Sequence, residues 1–92
     1  MLYRPAGVTQ SITTSAVSAQ TGNAISDQVY TVSITATQDA YILFGTNPTA
    51  SASTGFFLLK NWPTEFAIRP AEKVAALQVS VAGVVYVSEL TR

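Results

Sequence analysis

The sequence predicts an all-β protein: a small antiparallel sandwich or barrel, jelly-roll-like, of about six to eight short strands with no significant helix. Three observations predict it. Apolar residues alternate with polar ones in "QVYTVSITAT" and "TEFAIR", the two-residue period of a strand with one buried face. Gly, Pro, Asn and Asp punctuate the chain between such segments. No stretch keeps a helical period, and the one competitor, "AEKVAAL", runs into an alternating pattern at Ala75 to Val81.

The elements follow in order. "MLYRPAG" reads as an extended arm over residues 1–7, because Pro5 and Gly7 break regular structure while Leu2 and Tyr3 are apolar. Residues 8–92 then form a single β domain. Strand structure is expected around Thr9 to Val17, and a turn at Thr21-Gly22-Asn23. In "QVYTVSITAT", Tyr30, Val32, Ile34 and Ala36 share one face. After Asp39, Tyr41 to Phe44 form a strand that is apolar on both faces, which suggests a central position or a face covered by a partner. "GFFLLK" and "TEFAIR" are the next two strands; Phe66 and Ile68 point one way, and Pro70 ends the second. Last comes "KVAALQVSVAGVVYVSEL". With Ala82-Gly83 as a two-residue turn it predicts a hairpin in which Val81 faces Val84, Val79 faces Tyr86, Leu77 faces Ser88 and Ala75 faces Leu90 on a core side.

The charge content bounds the surface. The 92 residues suffice for one domain, and 48% hydrophobic content suffices for one core. Charged residues are only 11%, against roughly 25% in an ordinary soluble domain, and the net charge is zero. Such a surface resists self-association weakly. Either its 21 Ser and Thr hydroxyls solubilise it, or partners cover much of it. With no Cys, packing or oligomerisation must supply the stability. "MLYRPAGVTQ" lacks the apolar stretch of a secretory signal. The uncharged run from Ala40 to Leu59 is too rich in Gly, Pro, Asn and hydroxyls to cross a bilayer as a helix, so no membrane partner is expected.

The same composition argues against catalysis. There is no His and no Cys, which removes the usual proton carriers, nucleophiles and transition-metal ligands. The carboxylates Asp27, Asp39, Glu65, Glu72 and Glu89 are scattered, and each reads as a turn residue or a solvated strand position. The expectation is a protein that is not an enzyme and uses no cofactor or metal. Arg4, Lys60, Arg69, Lys73 and Arg92 form no basic stripe, so nucleic acid is not an expected partner.

Binding and assembly remain. In "LLKNWPTEF", Lys60, Asn61, Trp62 and Pro63 form a turn between strands. Trp62 is either an anchor on a partner, a platform for a sugar ring, or a side chain folded back over the open end of the sandwich. In "RPAEKVA" the charges either pair between subunits or are solvated on a turn. The loop Gly45 to Thr54, with no charge, can lie flat on another protein, its hydroxyls bonding a partner's backbone, or can be a plain surface excursion. The candidate partner-contact residues are Leu2, Tyr3, Arg4, Gly45, Thr46, Asn47, Pro48, Thr49, Lys60, Asn61 and Trp62.

From Ala40 to Leu90, about half of the chain, the sequence resembles a group of small virion proteins of tailed bacteriophages. The matching residues are Phe44, Gly45, Asn47, Pro48, Thr49 and Ala50, then Phe66, Pro70, Glu72, Lys73, Val74 and Ala75, and finally Tyr86 and Val87. The resemblance implies a capsid cement or decoration protein on the head surface, made in the host bacterial cytoplasm. Its partners would be the major capsid protein and further copies of itself, most plausibly as a trimer. A ring protein of the head–tail connector or tail is the alternative within that class. A carbohydrate-binding module for receptor recognition is the alternative outside it.

Overall fold

The structure, a computed structural model, describes residues 4–91, with backbone alone at positions 4, 6 and 7. Among the described residues eight strands form: β1 (Arg4–Thr13), β2 (Ala19–Gln20), β3 (Thr31–Ala36), β4 (Ala40–Gly45), β5 (Phe56–Leu58), β6 (Thr64–Ala67), β7 (Lys73–Gln78) and β8 (Val84–Thr91). They build two four-stranded antiparallel sheets, one in the order β1-β8-β3-β6 and the other β2-β7-β4-β5. Each strand of the first half pairs with its mirror in the second half: β1 with β8, β2 with β7, β3 with β6, β4 with β5. The chain is thus one long folded-over hairpin, rolled so that β8 meets β3 and β7 meets β4. That strand order is a jelly roll. The two sheets are not joined at either side, so the structure is an open sandwich and not a barrel.

Alternation decides what lies between the sheets. Val32, Ile34 and Ala36 of β3, Val85 and Val87 of β8 and Ile12 of β1 point inward from one sheet. Ala40 and Ile42 of β4, Leu58 of β5 and Val74 and Ala76 of β7 meet them from the other. Ile25, Val29 and Ile68, from the connections at one end, close the core there. The shortest dimension of the molecule, 19 Å, fits two twisted layers stacked about 10 Å apart.

The expected C-terminal hairpin does not form. β7 pairs with β4 and β2, β8 pairs with β1 and β3, and residues 79–83 cross from one sheet to the other. Between the sheets the inward face of β8 is also opposite to expectation, Val85 and Val87 buried and Tyr86 exposed, although Ala75 and Leu90 of the expected core face are buried. The segment is apolar on both faces, so its pattern sets neither its parity nor its partner. A smaller correction applies at Tyr30, which is exposed and precedes β3; the backbone kinks at Gln28 (φ 66°), and Val29 is the residue turned inward. Residues 4–7 of the expected arm run within β1, Arg4 opposite Thr91 and Pro5 opposite Leu90, ahead of a register shift before Thr9. Leu2 and Tyr3 lie outside the described residues.

Candidate functional site

In this strand order the four connections that follow β1, β3, β5 and β7 gather at one end of the sandwich. Hydrogen bonds join them to one another. Thr14 Oγ1 accepts the Gly83 N–H at 2.8 Å, and the Thr14 N–H donates to the Gly83 carbonyl at 2.8 Å. Thr37 Oγ1 accepts the Val84 N–H at 2.9 Å, and the Thr37 N–H returns a bond to the Val84 carbonyl. The Gln78 N–H reaches the Ser15 carbonyl. The Asp39 carboxylate accepts the Lys60 N–H at 2.9 Å, and the Asn61 N–H donates to the Ala36 carbonyl at 2.8 Å. Asn61 takes a left-handed φ of 57°, which its short amide side chain tolerates better than most. Gly83 packs so closely that a Cβ there would lie 2.8 Å from Thr37 Oγ1 and 2.9 Å from Gln38 Cβ.

This bonded end displays apolar side chains. Trp62 is 65% exposed and Val17 73%, and Leu59, Val79 and Val81 are exposed in the same four connections; Val17 and Trp62 stand at opposite sides of this end, with the β7–β8 and β3–β4 connections between them. Only two charged residues, Asp39 and Lys60, occur in these connections. Trp62 is therefore not folded back over the sandwich. Its turn is held from behind by β3 and by the β3–β4 connection, and its ring faces solvent. Val17, Leu59, Val79 and Val81 were not expected here. Alternation alone predicts a hairpin for Val79 and Val81, and only the strand order brings the four connections to one end.

Gly45 to Thr49 lie elsewhere. Gly45 ends β4 and Lys60 follows the strand paired with its start, so about 17 Å of strand separates the two groups of candidate residues. The Gly45 to Thr54 loop folds back on its own sheet. Asn47 Oδ1 accepts from Gln20 Nε2 at 3.0 Å, and Ser18 Oγ accepts the Ala50 N–H at 2.9 Å. Ser51 Oγ lies 2.7 Å from Thr54 Oγ1, and the Ser51 carbonyl accepts the Gly55 N–H. Pro48 and Ala50 are buried, as is Ala75 on the outward side of β7 between Leu43 and Gln20. Thr46 and Thr49 stay exposed. The backbone of Arg4 lies at this same far end, opposite Thr91.

The carboxylates of Asp39, Glu72 and Glu89 are used by the backbone. Glu72 Oε1 accepts the Arg69 N–H at 2.8 Å within the β6–β7 turn, where Ala71 has a φ of 73°. Glu89, expected to be solvated, is 3% exposed. It accepts from the Ser26 N–H and the Ser26 hydroxyl, both at 3.0 Å, and from the Val8 N–H at 3.3 Å. Its inward position ties the β2–β3 connection and β1 to β8, a role that a single acidic residue in a strand does not announce.

The fold and this end define a small jelly-roll domain with a stiff, charge-poor apolar tip. Comparison of the chain with protein-family models, with curated proteins and with solved structures found no match.

Proposed function

We propose that this protein is a structural, non-enzymatic component of a tailed-phage virion, a capsid cement or decoration protein that binds the coat-protein lattice and stabilises the head. One observation carries the proposal: the apolar end bearing Val17, Leu59, Trp62, Val79 and Val81 is built on connections hydrogen-bonded to one another. Exposed apolar groups on a rigid support are what a docking surface needs, because little conformational entropy is lost on binding. Trp, with Tyr and Arg, is among the residues enriched as energetic anchors at such surfaces. The resemblance of Ala40 to Leu90 to small phage virion proteins supplies the partner class, the major capsid protein, and the trimeric assembly.

Stabilisation follows by linkage. A clamp that binds only the assembled lattice adds its binding free energy against disassembly. Quantitative mass spectrometry of purified particles tests the reading. A copy number comparable to the coat protein is the expected result. One small ring per particle moves the protein to the connector or tail, and absence from the particle rejects a virion role.

A further inference from the structure

A second surface, away from the apolar end, has the form of a ligand pocket. β5 pairs with only three residues of β4: Leu58 with Ala40, Phe57 with Tyr41 and Phe56 with Ile42. Past Phe56 the β4 strand continues through Leu43 and Phe44 without β5 beside it. On the same side of the sandwich, β5 and β6 are the outer strands of the two sheets, and no hydrogen bonds join them. The space left there is a pocket of about 310 Å³, lined by Ile42, Leu43, Phe44, Thr54, Phe56 and Phe66.

We propose that this pocket binds a small, uncharged aromatic molecule of one or two rings. The volume sets the size. An apolar cavity of about 150 Å³ holds benzene, and small-molecule sites begin near 300 Å³. The lining sets the polarity: five of the six residues are apolar, and none is charged. The one hydroxyl, Thr54 Oγ1, already has Ser51 Oγ at 2.7 Å, so it makes no demand for a polar ligand. The three phenyl rings set the shape. Phe66 meets Phe44 edge to face at 5.6 Å and Phe56 edge to face at 5.4 Å. Phe56 is more than half exposed, so the pocket opens to solvent on its side, and the edge-to-face rings offer both edges and faces to an entering ring. The inference is independent of the virion proposal, since it uses none of the residues at the apolar end.

Titration of naphthalene and of indole into isotopically labelled protein, followed by amide NMR, tests it. The expected result is saturable one-to-one shifts centred on Leu43, Phe44, Thr54, Phe56 and Phe66. Thr54→Phe, at an exposed position on the rim, should fill the pocket and weaken binding at least tenfold while leaving the spectrum folded. Trp62→Ala should leave binding unchanged. Shifts centred instead on Val17, Trp62 and Val81, no saturation up to the solubility of the probe, or full affinity in a folded Thr54→Phe variant would each overturn the proposal.

Discussion

The carboxylate of Asp39 accepts the backbone N–H of Lys60 at 2.9 Å, so a side chain in the turn between β3 and β4 holds the turn that presents Trp62. Each of the two turns crosses between the sheets, and the bond fixes one against the other. Asp39→Ala should therefore destabilise the domain by about 1 kcal/mol, the usual worth of a single partly exposed hydrogen bond. Asp39→Asn, whose amide oxygen can still accept, should recover most of that. Urea unfolding midpoints of the two variants measure the difference.

Trp62→Ala separates binding from stability. The side chain is 65% exposed, so its loss should change unfolding free energy by no more than about 0.5 kcal/mol. If Trp62 anchors the proposed coat-protein contact, affinity should fall roughly 30-fold, the equivalent of about 2 kcal/mol. Cosedimentation with purified capsids lacking the protein reads the affinity. A glycan array probed with the native chain and the variant distinguishes a sugar platform from a protein anchor.

Val81→Asp probes the same end from another connection. It places a carboxylate in the β7–β8 connection, between the connections that carry Val17 and Trp62, without disturbing a buried group. Capsid binding should be lost while the melting temperature stays within a few degrees of the native value. A variant that binds normally would remove the β7–β8 connection from the contact.

Glu89 is a structural test. Its carboxylate serves three donors in a nearly dry position. Glu89→Ala should cost about 3 kcal/mol, because the Ser26 and Val8 groups lose their acceptor inside the protein. Glu89→Gln should cost about 1–2 kcal/mol, since one amide oxygen replaces two carboxylate oxygens. Denaturant titration checks both, and equal values near zero would mean that water replaces the side chain.

Two glycines should respond in opposite directions. A Cβ at Gly55 would sit 2.7 Å from both the Ser51 carbonyl oxygen and Tyr41 Cβ, where neither backbone nor sheet can yield easily. Gly55→Ala should destabilise by about 1–3 kcal/mol. Nothing lies within 4 Å of a Cβ at Gly22, and there Ala should be neutral or stabilising by about 0.5 kcal/mol through the unfolded chain. Thermal unfolding of the pair gives the comparison.

Local periodicity by itself determined the class of the fold and most strands. Val32, Ile34 and Ala36 repeat every second residue, and a pleated strand has only two faces, so their burial was legible without any knowledge of a partner. The scarcity of charge and the absence of His and Cys were equally plain. Tertiary structure alone decided which strands pair, because hydrogen-bonding edges look alike whatever the side chains. Val84 to Thr91 accepts β1 and β3 as readily as its chain neighbour, and the long rolled hairpin of the whole chain outcompetes the short local one. That choice moved Val79 and Val81 out of a strand pair and into a connection at the end that also carries Trp62 and Val17. It also laid the Gly45 to Thr54 loop on the chain's own sheet. An apolar side chain in a connection carries no mark of what will stand beside it; proximity across sheets is a property of the roll, which no segment encodes alone.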